Sequence, residues 1–389
     1  METYFQTLRT GLQAAGHEAR LLTSTAGSAA GDTAEYRAYG TNARAPQAVL
    51  QLVNPFAAAK VRAAVREYRP DLALVGMVEQ HLSPAVFGAL RGVATLLSIG
   101  DYKPICPIHS KLLPDGTLCR VPAGSVCWRG GCVGLARWLR DRPRYRLLDA
   151  GRGHVDRALA CSSWLARALS EAGIEAEALP LPTPPPSREF ARRPSDHPSF
   201  VFVGRLSREK GVASLLRAFA RLREEAPTAE LRLVGDGEER ESLERLAHSL
   251  RLGESLVFCG WLDPPEIEDE LAVAWASAVP SLWAEPLGLV AVEAAVRGVP
   301  VVASTTGGLA EIVAHGRNGL LFPNGDERAL SGALSDVAAG RAFPDRIVPA
   351  SAVREVAERH DVQRHVARIE EIRDEIAGTA NGRCAKLDS

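Results

Sequence analysis

Short apolar, β-branched runs alternate with longer stretches of helical period through the second half of the chain. The runs fall at 200–203, 231–234, 256–258, 276–279 and 299–303. Segments whose apolar residues recur every three or four positions follow them, as at 212–223, 238–250 and 289–297. Strands that are apolar almost throughout are buried on both faces, and strands separated by helices pair in parallel, so the pattern predicts a doubly wound α/β sheet. The first half keeps the rhythm less sharply, with strand-like runs at 19–22, 72–77, 93–99 and 157–160 and helical patterns at 57–68 and 164–172. An amphipathic, charged stretch at 362–376 reads as a closing helix.

Leu179-Pro-Leu-Pro-Thr-Pro-Pro-Pro186 interrupts the alternation. Such a run neither continues a helix nor fills a central strand, so it reads as a linker, extended by 188–198. The expected organisation is an N-terminal Rossmann-like domain over 1–185 with a cysteine-containing loop at 101–150, a second Rossmann-like domain over 186–361, and a helix and tail over 362–389. Two such sheets create a cleft between domains, where ligands tend to bind.

Composition narrows the class. The 389 residues hold 46 Lys+Arg against 47 Asp+Glu, a net charge of −1, which argues against a nucleic-acid partner. The longest apolar stretch, 271–283, is broken by Pro280 and falls short of the roughly 18 residues a membrane span needs. No basic-then-apolar leader is visible, and seven cysteines in this length make no disulfide scaffold, so the cytoplasm is the expected compartment. Arginine outnumbers lysine 41 to 5, which draws attention to a loop lysine such as Lys210.

Three segments carry candidate chemistry. In Pro280-Ser-Leu-Trp-Ala-Glu285-Pro-Leu-Gly288-Leu289-Val290-Ala-Val-Glu293 a strand ends, a turn follows and a helix opens. Glu285 is placed in the loop and Glu293 on the second helical turn, and the N–H groups of Gly288, Leu289 and Val290 form an anion site suited to phosphate. In Val203-Gly204-Arg205-Leu-Ser-Arg-Glu-Lys210-Gly211, Arg205 and Lys210 stand at the carboxyl end of a strand and can neutralise a departing diphosphate. Leu233-Val-Gly235-Asp236-Gly237 and Gly307-Gly308-Leu-Ala-Glu311 are further glycine turns, with Asp236 read as plain turn and Glu311 as a cap or ion-pair partner. Each segment alone is equally well a solvated loop or a helix start. No Asp-x-Asp pair is present.

Together these segments, in this order and spacing, resemble the retaining glycosyltransferases of the GT-B fold, glycosyltransferase family 4 (glycosyl transferases group 1), over 200 to about 334. The resemblance rests on Glu, seven residues, Glu, here Glu285 and Glu293. It implies that Glu293 binds the ribose of a nucleotide-sugar, Glu285 holds the donor sugar, and Arg205 and Lys210 hold the diphosphate after Gly204. It implies the base lies against Gly260, Trp261 and Leu262, and that Gly288, Leu289 and Val290 take the distal phosphate and sugar. The implied activity is metal-independent transfer of a hexosyl-type group to an acceptor hydroxyl, in cell-surface glycan, glycolipid or secondary-metabolite synthesis, with no cofactor beyond the nucleotide-sugar substrate. The partners are then that donor and a glycan, lipid-linked or small-molecule acceptor.

In the first half, residues 1–18 resemble the family's first helix and Gly-His-Glu turn, here Gly16-His17-Glu18, without the strand and glycine loop that precede them in the family. The expectation is a first domain lacking its first strand, from a late start or a degenerate gene product. Ser98-Ile-Gly100-Asp101-Tyr102 resembles a family stretch with histidine where Gly100 stands, and His109, a loop histidine, reads as polar surface. Cys106, Cys119, Cys127 and Cys132 lack paired Cys-x-x-Cys knuckles, so unbound thiols are preferred over structural zinc. Cys161 and Cys259 read as buried strand residues and Cys384 as part of the tail. The basic stretch 137–146 interleaves aromatics with arginines and reads as a solvated helix face, with an anionic membrane surface or lipid-linked acceptor as the alternative partner. Two competing functions stay open: a catalytically degenerate nucleotide-sugar binder, and a retaining glycosidase using Glu285 and Glu293 as a carboxylate pair.

Overall fold

The computed structural model describes residues 2–26, 33–76, 78, 81–184, 186, 187 and 189–385. The chain divides into two compact units. The first is Met1–His109, Arg120–Pro182 and Asp361–Ser389; the second is Ser110–Cys119 and Thr183–His360.

The first unit holds β1 (Leu22–Ser24), β2 (Tyr36–Ala38), β3 (Leu72–Val75), β4 (Ala94–Ile99), β5 (Arg157–Ala160) and β6 (Glu177–Ala178). All pairings are parallel. β3-β4-β5-β6 form one sheet, and β1-β2 form a separate pair. The first strand lies at Leu22–Ser24 rather than 19–22, because the Leu21 N–H is taken by the Glu35 carboxylate at 2.8 Å instead of a strand. The run at 72–77 is strand only as far as Val75, and Met77 lies outside the described residues. Helix Pro55–Tyr68 is capped by Asn54, whose side chain accepts from the Ala57 N–H.

The first helix, Glu2–Ala14, packs on the last, Val362–Ala385. At Gly11 a Cβ would lie 2.5 Å from a methyl of Val362, so the helices approach closely only because that side chain is absent. The His365 ring contacts the Pro180 carbonyl at 2.9 Å through Nδ1 and the Tyr4 hydroxyl at 3.1 Å through Nε2. A carbonyl only accepts, so Nδ1 carries the proton and Nε2 accepts from Tyr4. Burial pushes the Tyr4 hydroxyl far above its ordinary pKa, which keeps it a donor.

The second unit is a single six-stranded parallel sheet of β7 (Ser199–Val203), β8 (Glu230–Val234), β9 (Leu256–Gly260), β10 (Ala276–Val279), β11 (Val301–Ser304) and β12 (Gly319–Phe322), in the order β12-β11-β10-β7-β8-β9. Helix Val212–Glu225 buries Val212, Leu215, Leu216, Phe219 and Leu222 on one stripe against that sheet's core. Helix Glu327–Ala338 starts at Asp326, whose side chain accepts from the Arg328 and Ala329 N–H groups. Helix Pro264–Val273 opens with an Asp263–Glu266 capping box.

One buried ion pair ties this unit to the start of its own chain. Arg297 meets Glu268 at 2.7 Å, with both side chains under 8% exposed, and Glu268 also accepts from the N–H and hydroxyl of Ser187. Burial pushes the Glu268 carboxyl up, but Ser187 and Arg297 outweigh it and hold it below the usual carboxylate range. Its stabilisation is therefore present above the ordinary carboxylate pKa and is lost as pH falls through the depressed one.

Arg297→Ala strands a buried charge and is expected to cost about 3–5 kcal/mol in urea denaturation. Adding Glu268→Gln should recover part of that loss; equal losses in single and double variants would remove the pair as the cause. Tyr4→Phe, which leaves a buried ring nitrogen without its donor, should cost about 1–3 kcal/mol in the same measurement.

Candidate functional site

All eleven site residues singled out from the sequence fall in the second unit. Strands β10, β7, β8 and β9 are neighbours, so the loops after them share one carboxyl edge. That edge is where an open parallel sheet presents side chains to a ligand.

The loop after β7 runs through Gly204 and the exposed Arg205 into a short turn, Arg208–Lys210. Gly211 follows at φ 70°, and a Cβ there would lie 2.0 Å from the Pro280 carbonyl oxygen. Glycine is thus required by both conformation and space, and its absence of side chain lets the β7 and β10 loops touch. The Leu282 N–H donates to the Glu209 carbonyl at 2.8 Å across that contact.

The two loops bring Lys210 and Glu285 together. Lys210 Nζ is 2.5 Å from Glu285 Oε1, and the Ser281 hydroxyl donates to the same oxygen at 2.7 Å. Glu285 is 4% exposed, so this carboxylate is a buried anion held by a cation and a hydroxyl. Lys210 also lies 5.3 Å from the centre of the Trp283 ring.

The backbone around Glu285 is pinned carbonyl by carbonyl. Ser304 donates to Ser281 O at 2.7 Å, Asn324 to Leu282 O at 2.8 Å and Thr306 to Trp283 O at 3.0 Å. The Gly308 N–H donates to Glu285 O at 2.7 Å. Gly307, at φ 64°, passes so close that a Cβ would sit 2.1 Å from that same carbonyl oxygen. None of Ser281, Ser304, Thr306 and Asn324 stood out in the sequence. Ser281 had a local signal, four residues before Glu285; the other three lie far along the chain from the loop they hold.

Helix Leu289–Val296 begins one turn after Glu285, with Gly288 as its cap at φ 90°. The N–H groups of Gly288, Leu289 and Val290 donate to no backbone carbonyl among the described residues. Glu293 lies half-buried on the second turn. Burial raises its carboxyl pKa; Arg297 pulls it down and Glu268 pushes it up. The Arg205 side chain makes no hydrogen bond or ion pair among the described residues, so it is not drawn into the Lys210–Glu285 cluster; only its carbonyl is engaged, accepting from the Ser207 N–H. At the β9 end, Gly260 accepts from the Gly235 N–H at 2.7 Å, Trp261 is 83% exposed and Leu262 is half-buried. The Asp236 carbonyl accepts from the Leu206 N–H and its carboxylate from the Gly237 N–H, which is plain turn geometry.

The first unit departs from expectation at His109. It is half-buried rather than surface, and burial with Lys103, Arg144 and Arg137 outweighs Asp141 to push it down to about 4. Asp101 accepts from the Lys103 backbone N–H at 2.8 Å, with Lys103 Nζ at 3.6 Å; burial raises its carboxyl pKa. Cys106 and Cys127 are buried, Cys119 and Cys132 half-buried. Among the described residues no three His, Cys, Asp or Glu side chains gather where a metal ion would bind. Cys161 is buried, but Cys259 is only half-buried, because β9 is an edge strand. The side chain of Cys384 lies outside the described residues.

Comparison with known proteins follows the same division. The family profile "Glycosyl transferase 4-like domain" matches residues 1–184, and "Glycosyl transferases group 1" matches 185–353. Glycogen synthase of Mycobacterium tuberculosis is 39% identical over 148 residues, 38% of this chain and 36% of that protein. A GDP-mannose-dependent phosphatidylinositol monomannoside mannosyltransferase of Mycolicibacterium smegmatis is 36% identical over 150 residues, 37% of this chain and 39% of that protein. The match thus spans well under half the length of these relatives. Among solved structures, sucrose-phosphate synthase of Thermosynechococcus elongatus superposes with a TM-score of 0.64 at 22% identity, covering 99% of this chain and 93% of the other. Anabaena HepE in complex with UDP gives 0.62 at 21% identity, covering 87% and 86%. With two family profiles laid end to end over 1–353 and parallel sheets that superpose on these structures, the chain belongs to the GT-B glycosyltransferases, family 4-like.

Proposed function

We propose that the chain is a retaining glycosyltransferase that moves a sugar from a nucleoside-diphosphate sugar to an acceptor hydroxyl. The observation that carries this reading is the Lys210–Glu285–Ser281 cluster at the carboxyl edge, one turn before a helix start with three backbone donors. A diphosphate needs cations and N–H donors; a sugar needs a fixed carboxylate. Both kinds of group stand side by side here. Anabaena HepE, bound to UDP and glucose in one structure, and the GDP-mannose-dependent relative support a nucleotide-sugar as donor.

In this reading the bond from the sugar's anomeric carbon to the phosphate oxygen breaks, and its electron pair stays on the diphosphate. Lys210, Arg205 and the helix start stabilise that charge without a metal ion. The acceptor oxygen bonds the anomeric carbon on the face being vacated, and its proton passes to a phosphate oxygen. Glu285 orients the sugar hydroxyls. Glu293 accepts from the vicinal ribose hydroxyls, which suits a carboxylate with two acceptor oxygens. Trp261 and Leu262 flank the base.

The glycosidase alternative leaves Lys210 and the helix-start donors without a role. A degenerate binder differs from the proposed enzyme only in turnover, and turnover separates them.

UDP, GDP or ADP at about 100 times its dissociation constant should stabilise the folded chain by roughly 2.7 kcal/mol in a thermal-shift assay. Absence of a shift with all three would sink the donor assignment. Lys210→Ala should lower the transfer rate about 100- to 1000-fold, and Glu293→Ala should weaken nucleotide binding. Because burial raises the Glu293 pKa, nucleotide affinity should decline on acidification at a higher pH than an ordinary carboxylate would dictate. Glu293→Gln should flatten that decline, and an unchanged pH profile would remove Glu293 from the contact.

A further inference from the structure

Helix Leu135–Arg152 and the segment leading into it carry a surface to which the proposed reaction assigns no residue. Residues 120–152 hold eight arginines and two aspartates, in a chain whose net charge is −1. Both aspartates are already engaged: Asp141 is buried beside Arg137 and Arg140, and Asp149 pairs with Arg152 at 2.5 Å. The excess of positive charge is therefore local and uncompensated.

The helix buries Asp141, Leu148 and Gly151 on one side. At 3.6 residues per turn the opposite side carries positions 135, 139, 142 and 146. Leu135 is 49% exposed and Leu139 51%, and Arg142 and Arg146 are exposed beside them. Val121 and Val126, just upstream, are each 45% exposed. Val121, Val126, Leu135, Leu139 and Leu147 are five of the eleven exposed large hydrophobic side chains among the described residues, a concentration along this one stretch of chain. Arg142 lies 4.9 Å over the Trp138 ring, which leaves its own guanidinium edge free to bind an anion.

A solvated face would not carry leucines one turn apart between arginines. An acidic protein would have to set apolar side chains in register with its carboxylates to cover both the leucines and the arginines. An anionic bilayer offers phosphates at the surface and hydrocarbon just beneath, which matches both. No helix among the described residues is long and apolar enough to cross a membrane, so the contact is with one leaflet. We infer that this face docks on an anionic lipid surface, with Leu135 and Leu139 entering the headgroup–acyl boundary and Arg142 and Arg146 meeting lipid phosphates.

The test is co-sedimentation of the full chain with phosphatidylcholine vesicles, with and without phosphatidylglycerol, at salt of about 50 and about 500 mM, spanning strong and weak screening. Capture by the anionic vesicles alone, lost at high salt, is expected. It should fall at least about tenfold in Arg142→Glu/Arg146→Glu by the loss of charge attraction, and comparably in Leu135→Ser/Leu139→Ser. The thermal midpoint and the nucleotide-induced shift should stay at wild-type values in both variants, which separates loss of docking from loss of fold or donor site. No capture of folded wild type, or equal capture of both variants, overturns the proposal. Lipid-independent self-association abolished by Leu135→Ser/Leu139→Ser would also overturn it, by assigning the patch to a second copy.

Discussion

The second unit is organised around a place where no side chain fits. The Pro280 carbonyl oxygen and the α-carbon of Gly211 are so close that even a methyl group is excluded. That proximity lets the Glu209 carbonyl accept from Leu282 and sets Lys210 against Glu285. The four pinned carbonyls from Ser281 to Glu285 then deny the loop any alternative path. A charged loop that would otherwise sample many conformations is held in one, and the entropy of ordering it is met in folding rather than in ligand binding.

Burial turns that rigidity into chemistry. Glu285 sits in a site of low polarisability, where Lys210 and Ser281 interact with it more strongly than they would in water. In the proposed reaction a phosphate arriving at Lys210 would exchange one anionic partner for another, so the cation would not be left unpaired. Eight residues on, Glu293 has burial without so close a cation, and burial raises its carboxyl pKa. Two carboxylates on one motif thus lie in different environments, although their spacing along the chain says nothing of it.

The parallel sheet of the second unit was legible because apolar, β-branched runs between helical periods leave little else to form. The run at 299–303 starts two residues early only because the Val299 N–H closes a turn onto Ala294 O before β11 begins. β12 was not visible: four residues led by glycine carry too little pattern. Helix Leu135–Arg152 was legible only in its basic middle, since Pro143 reads as a stop; on the exposed side, the carbonyl it leaves unbonded can turn to water. At the site, Glu285, Lys210 and Gly211 were legible from strand ends and glycine turns. Ser304, Thr306 and Asn324 were not, because each acts on a loop at least about twenty residues away. His109 failed for the same reason: the cations that surround it come from another helix and from Lys103.

The Lys210 ammonium over the Trp283 ring has an optical consequence. An indole's excited state carries more dipole than its ground state, so a charge 5.3 Å from the ring centre tunes the colour of its emission. Any anion that draws Lys210 off the ring changes that field. In the proposed reading, phosphate occupancy at Lys210 would shift the emission of Trp283, one of the chain's six tryptophans, without an attached label.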